Sequence, residues 1–157
     1  MVWVVGVTYN SEQVDPIGRN KKGDILDLGI KVEQVATMHV YFIHGNLSEG
    51  DIKKACVELL SDSQIQQYNY SKDGSSLELV KDRNAWVVQV RNKPGVTDAV
   101  GESTKKGMEI IGINGVEKVE AAFTYVIKGD VSEEKVRTIC EKSLANSLIQ
   151  DYEYVRV

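Results

Sequence analysis

Few side chains in this sequence are of types that do chemistry, and those that are come in matched pairs. Asp15 and Asp98 are a candidate carboxylate pair, and Cys56 and Cys140 are candidate nucleophiles or metal ligands. Lys21-Lys22 and Lys105-Lys106 could meet an anion. Trp3 and Trp86, with Tyr68, Tyr70, Tyr152 and Tyr154, are amphipathic aromatics of the kind that anchor partner surfaces. Each set also has a structural use. Both aspartates stand just before a helical segment, where a carboxylate caps the free N–H groups. Both cysteines fall inside helical apolar stripes without a C-x-x-C motif, and the two histidines, His39 and His44, lie in the first half only. That pattern suits buried, reduced core thiols and offers no zinc site. Paired lysines on a helix usually form a solvated face. The tryptophans serve core packing, contact between the halves, or a partner surface, and the tyrosines pose the same choice. No residue is assigned to catalysis, to a cofactor or to a metal, so the residues describe an interaction module.

The elements that position these residues occur twice. At an offset of 83, Trp3-Val4-Val5-x-Val7 recurs as Trp86-Val87-Val88-x-Val90, Asp15 and Gly18 as Asp98 and Gly101, and Gly29-Ile30 as Gly112-Ile113. One inserted residue near Asn114-Gly115 moves the offset to 84, after which Tyr41, Cys56, Tyr68 and Tyr70 map onto Tyr125, Cys140, Tyr152 and Tyr154. The copies span residues 1–70 and 85–157, with a linker at 71–84 of turn-forming composition. Each copy reads as strand, helix, strand, helix, strand, an α+β pattern packed as a covalent pseudo-dimer. Asp15 or Asp98 caps the first helix, and Gly29 or Gly112 ends it. Ser48 or Ser132 caps the second helix, whose stripe is Ile52, Ala55, Cys56, Leu59 and Leu60 in copy one. Gly23 and Asp24 are expected to interrupt the first helix of copy one, and Leu77–Val80 to extend a strand. The helical link between first and second strands implies a parallel pair or a split arrangement, and pairing between copies would remove exposed edges.

The net charge of −4, with Lys and Arg dispersed, argues against a nucleic-acid surface. No apolar run reaches the length of a membrane span and no signal peptide precedes the first strand, so the chain is read as cytoplasmic. A copy of about 70 residues is near the lower limit for an independent core, so the copies are expected to pack together.

Copy two also carries a family resemblance. Gly95-Val96-Thr97-Asp98-Ala99-Val100-Gly101, then Gly112, Gly115-Val116-Glu117-Lys118-Val119 and Cys140 through Tyr152 resemble the PurS family, the small subunit of phosphoribosylformylglycinamidine synthase. Ala99 and Ser147 replace two family prolines, and Ser143 replaces the first of two paired leucines. Copy one retains Asp15-Pro16-Ile17-Gly18, Val32-Glu33-Gln34-Val35 and Cys56 through Ile65, but departs at Glu12, Gln13 and Asp62. The resemblance implies a tandem PurS chain that is a non-catalytic coupling component in purine biosynthesis. It would bridge a PurL-type synthetase and a PurQ-type glutaminase for ammonia transfer, with ATP and Mg belonging to the synthetase and no cofactor on this chain. Further self-association is left open. Two other readings stand beside it: the N-terminal domain of a longer single-chain synthetase, and an ACT-like regulatory module using the Lys93-Pro94-Gly95 turn to hold a small ligand.

Overall fold

The β-branched run at the start of each copy forms an eight-residue strand, and the capped helices follow in the expected order. The computed structural model describes residues 1–157. Copy one supplies β1 (Val2–Tyr9), α1 (Pro16–Asp27), β2 (Gln34–Gly45), α2 (Glu49–Ala55) and β3 (Gln66–Lys72). Copy two supplies β4 (Ala85–Asn92), α3 (Ala99–Ile110), β5 (Val116–Lys128), α4 (Glu133–Ile139) and β6 (Gln150–Arg156). The repeated strand-helix-strand-helix-strand order is therefore present in both halves. Helices α2 and α4 each run on into a π-helical turn, Cys56–Leu60 and Cys140–Leu144. No helix is long and apolar enough to cross a membrane.

The strand order is β3-β1-β2-β5-β4-β6. β1 pairs antiparallel with β3 from Trp3↔Lys72 to Tyr9↔Gln66, and β4 pairs antiparallel with β6 from Trp86↔Arg156 to Asn92↔Gln150. β4 and β5 are adjacent and antiparallel, from Ala85↔Lys128 to Val90↔Phe123, which corrects the expected parallel or split arrangement. The reason lies in strand length. β5 has 13 residues and β4 has eight, and Val116–Ala122 lies outside the register with β4. Helix α3 starts against that extra length, where Gly101 lies close to Val119 O, and its Met108 shares a core with Val119.

Two compact units result. The first holds Met1–Asn10, His39–Lys81 and Thr97–Ala121, so it draws β1, α2 and β3 from copy one and α3 from copy two. Its core joins Trp3, Val5, Ile43, Ile52 and Cys56 to Met108, Ile113 and Val119. The second holds Ser11–Met38, Asp82–Val96 and Ala122–Val157, so α1 of copy one serves with β4, α4 and β6. Its core joins Ile25, Ile30 and Val35 to Val88, Ile127, Val136, Ile139 and Cys140. The sequence repeats and the compact units are thus different partitions of one chain, and each core is built by both copies.

Two local expectations are corrected. Helix α1 is continuous over 12 residues through Gly23 and Asp24. Burial of Ile25 in the core supplies what the local propensity lacks. Ser76–Leu79 forms a 3-10 turn, and no strand runs over Leu77–Val80. The Ser75 hydroxyl accepts from Leu77 N at 3.2 Å, while Leu79 and Val80 are buried. That local capping bond competes with an extended conformation.

Candidate functional site

The paired residues include two aromatic clusters, two carboxylate caps, of which Asp15 is buried and Asp98 partly buried, and two buried thiols. In the first unit Trp3 is buried and its indole Nε1 donates to Leu47 O at 3.3 Å. Tyr70 meets the Trp3 ring edge-on at 5.9 Å, and Tyr68 stacks on Tyr70 with centroids 6.4 Å apart. The Tyr70 hydroxyl donates to Glu49 Oε1 at 2.8 Å. That acceptor, with some burial, pushes the phenol up to about 12. The second unit repeats the arrangement. Trp86 Nε1 donates to Val131 O at 2.9 Å, Tyr154 meets its ring at 5.9 Å, and Tyr154 donates to Glu133 Oε1 at 3.0 Å. Tyr152 lies 6.3 Å from Tyr154 and donates to Glu141 Oε1 at 3.3 Å. Lys72 and Arg156 stand over the two indoles, at 6.0 and 5.6 Å. Alternation along β3 and β6 places each tyrosine pair on one face, and tyrosine hydroxyls joined to glutamates leave an aromatic edge that is half-buried and half-wet.

Lys105 and Lys106 lie on α3, partly exposed and exposed respectively, away from both aromatic clusters in sequence, and neither forms an ion pair. Their copy-one counterparts do have partners. Lys21 Nζ donates to Ser143 O at 2.8 Å, and Lys22 Nζ to Glu33 O at 2.7 Å.

The carboxylates carry more than helix caps. Asp15 Oδ1 accepts from Gly18 N at 2.8 Å, and its other oxygen accepts from Thr37 N at 2.9 Å. The Thr37 hydroxyl also donates to Asp15 at 2.9 Å. One buried side chain therefore ties the start of α1 to β2. Asp98 repeats this with Gly101 N and Ala121 N, each at 2.8 Å. The strand-side bond could not be read from cap spacing, although the Gly18 and Gly101 positions hinted at it. A Cβ on either glycine would collide with a strand carbonyl, Val35 O or Val119 O. Ser48 makes a reciprocal capping box with Asp51, and Ser132 accepts from Lys135 N at 3.3 Å. Gly29 and Gly112 follow their helices at φ of 82° and 89°, the left-handed region that glycine tolerates best.

Burial pushes both the Cys56 and Cys140 thiols up to about 12, so neither presents a thiolate near neutral pH. His44 Nε2 lies 2.9 Å from Glu120 Oε1, with Lys118 Nζ 3.7 Å from the same oxygen. No group of three or more His, Cys, Asp or Glu residues converges to hold a metal ion. In the Lys93-Pro94-Gly95 turn, Gly95 sits at φ 88° and Val96 N is already donated to Lys93 O at 3.0 Å. The aromatics of both clusters pack against the two hydrophobic cores, and the hydroxyls of Tyr70 and Tyr154 reach glutamates at the starts of α2 and α4.

Comparison with known proteins bears on residues 85–157. The profile of the family described as PurS, phosphoribosylformylglycinamidine (FGAM) synthase, matches that segment. The chain is 34% identical over 73 residues to the phosphoribosylformylglycinamidine synthase subunit PurS of Archaeoglobus fulgidus, covering 43% of this chain and 91% of the relative. It is 31% identical over 71 residues to the subunit of the same name from Methanocaldococcus jannaschii, covering 42% and 86%. A solved structure of Methanocaldococcus jannaschii PurS, one of the subunits of formylglycinamide ribonucleotide amidotransferase, is 29% identical, covers 46% of this chain and 96% of that one, and superposes with a TM-score of 0.41.

Proposed function

The chain belongs to the PurS family, and from that premise we propose that it is a non-catalytic subunit of phosphoribosylformylglycinamidine synthase in purine nucleotide biosynthesis. Its partners are a PurL-type synthetase, which holds ATP and Mg, and a PurQ-type glutaminase, and the assembly works in the cytoplasm. The observation that carries this reading is that copy two spans nearly the whole of a named PurS subunit at 34% identity. Copy one supports a tandem arrangement, because it repeats the same elements and the same carboxylate tie between first helix and second strand.

The physical need for such a subunit comes from ammonia. Free in water at neutral pH it is mostly protonated and has no lone pair to attack with. Holding the glutaminase against the synthetase shortens the path and raises the effective concentration of the nucleophile. A protein that does only this needs no reacting groups of its own. It needs two surfaces, and two diverged copies in one polypeptide can present different ones.

Glutamine-dependent amidine formation by synthetase plus glutaminase, with and without this chain, tests the reading against an ammonia-driven control. The expected result is that the chain raises the glutamine-dependent rate and leaves the ammonia-driven rate unchanged. If neither rate responds and no ternary complex forms on gel filtration, the coupling role is wrong.

A further inference from the structure

In the second compact unit a cavity of about 680 Å³ opens between α1, the Lys31–Glu33 connection and the turn at Gly129-Asp130. Neither the aromatic clusters nor the carboxylate caps use it. Leu26 and Val32 give it apolar walls, and Arg19, Lys22 and Lys31 bring three cations to its lining against two carboxylates, Glu33 and Asp130. Lys22 is engaged, on Glu33 O at 2.7 Å and 3.8 Å from Glu12. Arg19 donates one bond, to Gln13 O at 3.1 Å, so most of its five-donor fork is still available.

Gly23 is the informative residue. It sits in mid-helix, where glycine costs about 1 kcal/mol relative to alanine. A Cβ there would meet nothing within 4 Å, and the backbone is in no left-handed conformation. Neither packing nor backbone geometry asks for glycine at this point. It does line the cavity, and a long side chain in its place would reach into the mouth.

The two copies act as each other's control. At the equivalent positions copy two has Glu102 for Arg19, Lys106 for Gly23, Glu109 for Leu26 and Asn114 for Lys31. The inserted Gly115, which copy one lacks, lies against Asn46 in the first unit and accepts from Asn46 N at 3.2 Å. Relative to copy two, then, copy one has gained positive charge, an apolar wall and open space at one place.

We propose that this cavity binds a small organic anion: a phosphate or carboxylate group on an apolar body. The anionic group faces Arg19 and Lys31, and the body lies on Leu26 and Val32. The volume falls in the range of small-molecule sites, about 300–1,000 Å³. The proposal does not depend on the synthase role, and the test uses no partner enzyme.

The whole 157-residue chain, labelled with ¹⁵N, is titrated with phenyl phosphate and with benzoate, beside inorganic phosphate and phenol as the separated halves of the first. Saturable shifts are expected at the amides of Arg19, Gly23, Lys31 and Gly129 for at least one of the two organic anions, and which one responds identifies the headgroup. Each separated half should bind about tenfold or more weakly, since it forfeits either the charge or the apolar contact, about 1.4 kcal/mol per decade. Gly23→Lys, whose side chain has room and leaves the fold intact, should weaken the organic anion about tenfold or more. Arg19→Glu, which installs the copy-two residue, should do the same. The proposal is overturned if no saturable shift appears at these amides, if Gly23→Lys binds the responding anion as wild type does, or if phenyl phosphate is that anion and inorganic phosphate binds as tightly.

Discussion

Asp15 and Asp98 hold the same position in the two copies and carry different loads. Asp15 is 3% exposed and accepts from two backbone N–H groups and from the Thr37 hydroxyl. Asp98 is less buried and accepts from two N–H groups, since Ala121 stands where threonine would be needed to add a third. Removing a buried acceptor leaves its donors without partners, which costs more than the bonds were worth. Asp15→Ala should therefore cost about 3 kcal/mol and Asp98→Ala about 1–2 kcal/mol, read from urea denaturation midpoints at pH 7. Equal losses would mean that the threonine bond contributes nothing. Cap spacing made the helix-side bond of each aspartate legible, whereas the strand-side bond was hidden because its partner is 22 residues away and no local pattern ties them. The buried thiols and phenols make a separate prediction. Cys56, Cys140 and Tyr125 are all pushed up to about 12 by burial, from ordinary values of 9.0 for cysteine and 10.0 for tyrosine. In the unfolded chain they lose protons at those ordinary values while the folded chain keeps them, so above pH 9 the folded state binds more protons and stability falls with rising pH. Their contribution is complete below pH 9 and lost progressively as pH approaches 12. Urea titrations between pH 7 and 11 should show a plateau followed by a decline, and a midpoint that stays level to pH 11 would contradict the burial of these groups.

At the scale of elements, two glycines of the first helices have opposite meanings, and composition alone could not separate them. Gly101, near the start of α3, lies so close to β5 that a Cβ would collide with Val119 O and crowd the Asp98 carboxylate. Gly23, in the middle of α1, faces open space. Gly101→Ala should destabilise by about 1–3 kcal/mol through overpacking, whereas Gly23→Ala should stabilise by about 0.5–1 kcal/mol through helix propensity. Thermal unfolding of the two variants checks the pair, and a loss on Gly23→Ala would show that the fold does not tolerate a Cβ at this position. The same contrast explains why the first helix of copy one looked broken in the sequence. Gly23-Asp24 is a weak helical dipeptide, but the helix is held by its capped start at Asp15 and by Ile25 in the core, and tertiary packing outweighs local preference. Leu77–Val80 erred for the opposite reason: its alternation suited a strand, but the Ser75 hydroxyl closes a local turn before any ladder can form.

At the scale of the whole chain, the repeat and the element order were legible because both rest on patterns within one copy. Which helix covers which strands was not, because an apolar stripe specifies that a face must be buried and says nothing about the sheet that buries it. The answer depends on strand length. The residues of β5 outside the register with β4 give α3 its surface, and that surface belongs to a unit otherwise made of copy one. Met108 and Ile113 are buried in a core with Trp3, Ile43 and Ile52, so copy two by itself leaves them uncovered. Residues 85–157 expressed alone lack the strands and helix of copy one that complete that unit, and β5 loses its neighbour β2. A chain of that length has little core to spare. A second fragment could supply the missing surfaces, because copy two repeats the pattern of copy one, with α3 of each fragment packing where copy one's partners would have been. The isolated fragment should therefore fold only by self-association. Its circular dichroism should gain helix with rising concentration, its sedimentation should shift from a monomer toward a dimer over the same range, and its unfolding midpoint should rise with concentration. A fragment that sediments as a folded monomer with a concentration-independent midpoint would show that each copy closes its own core, and that the exchange of helices between copies is not what holds this chain together.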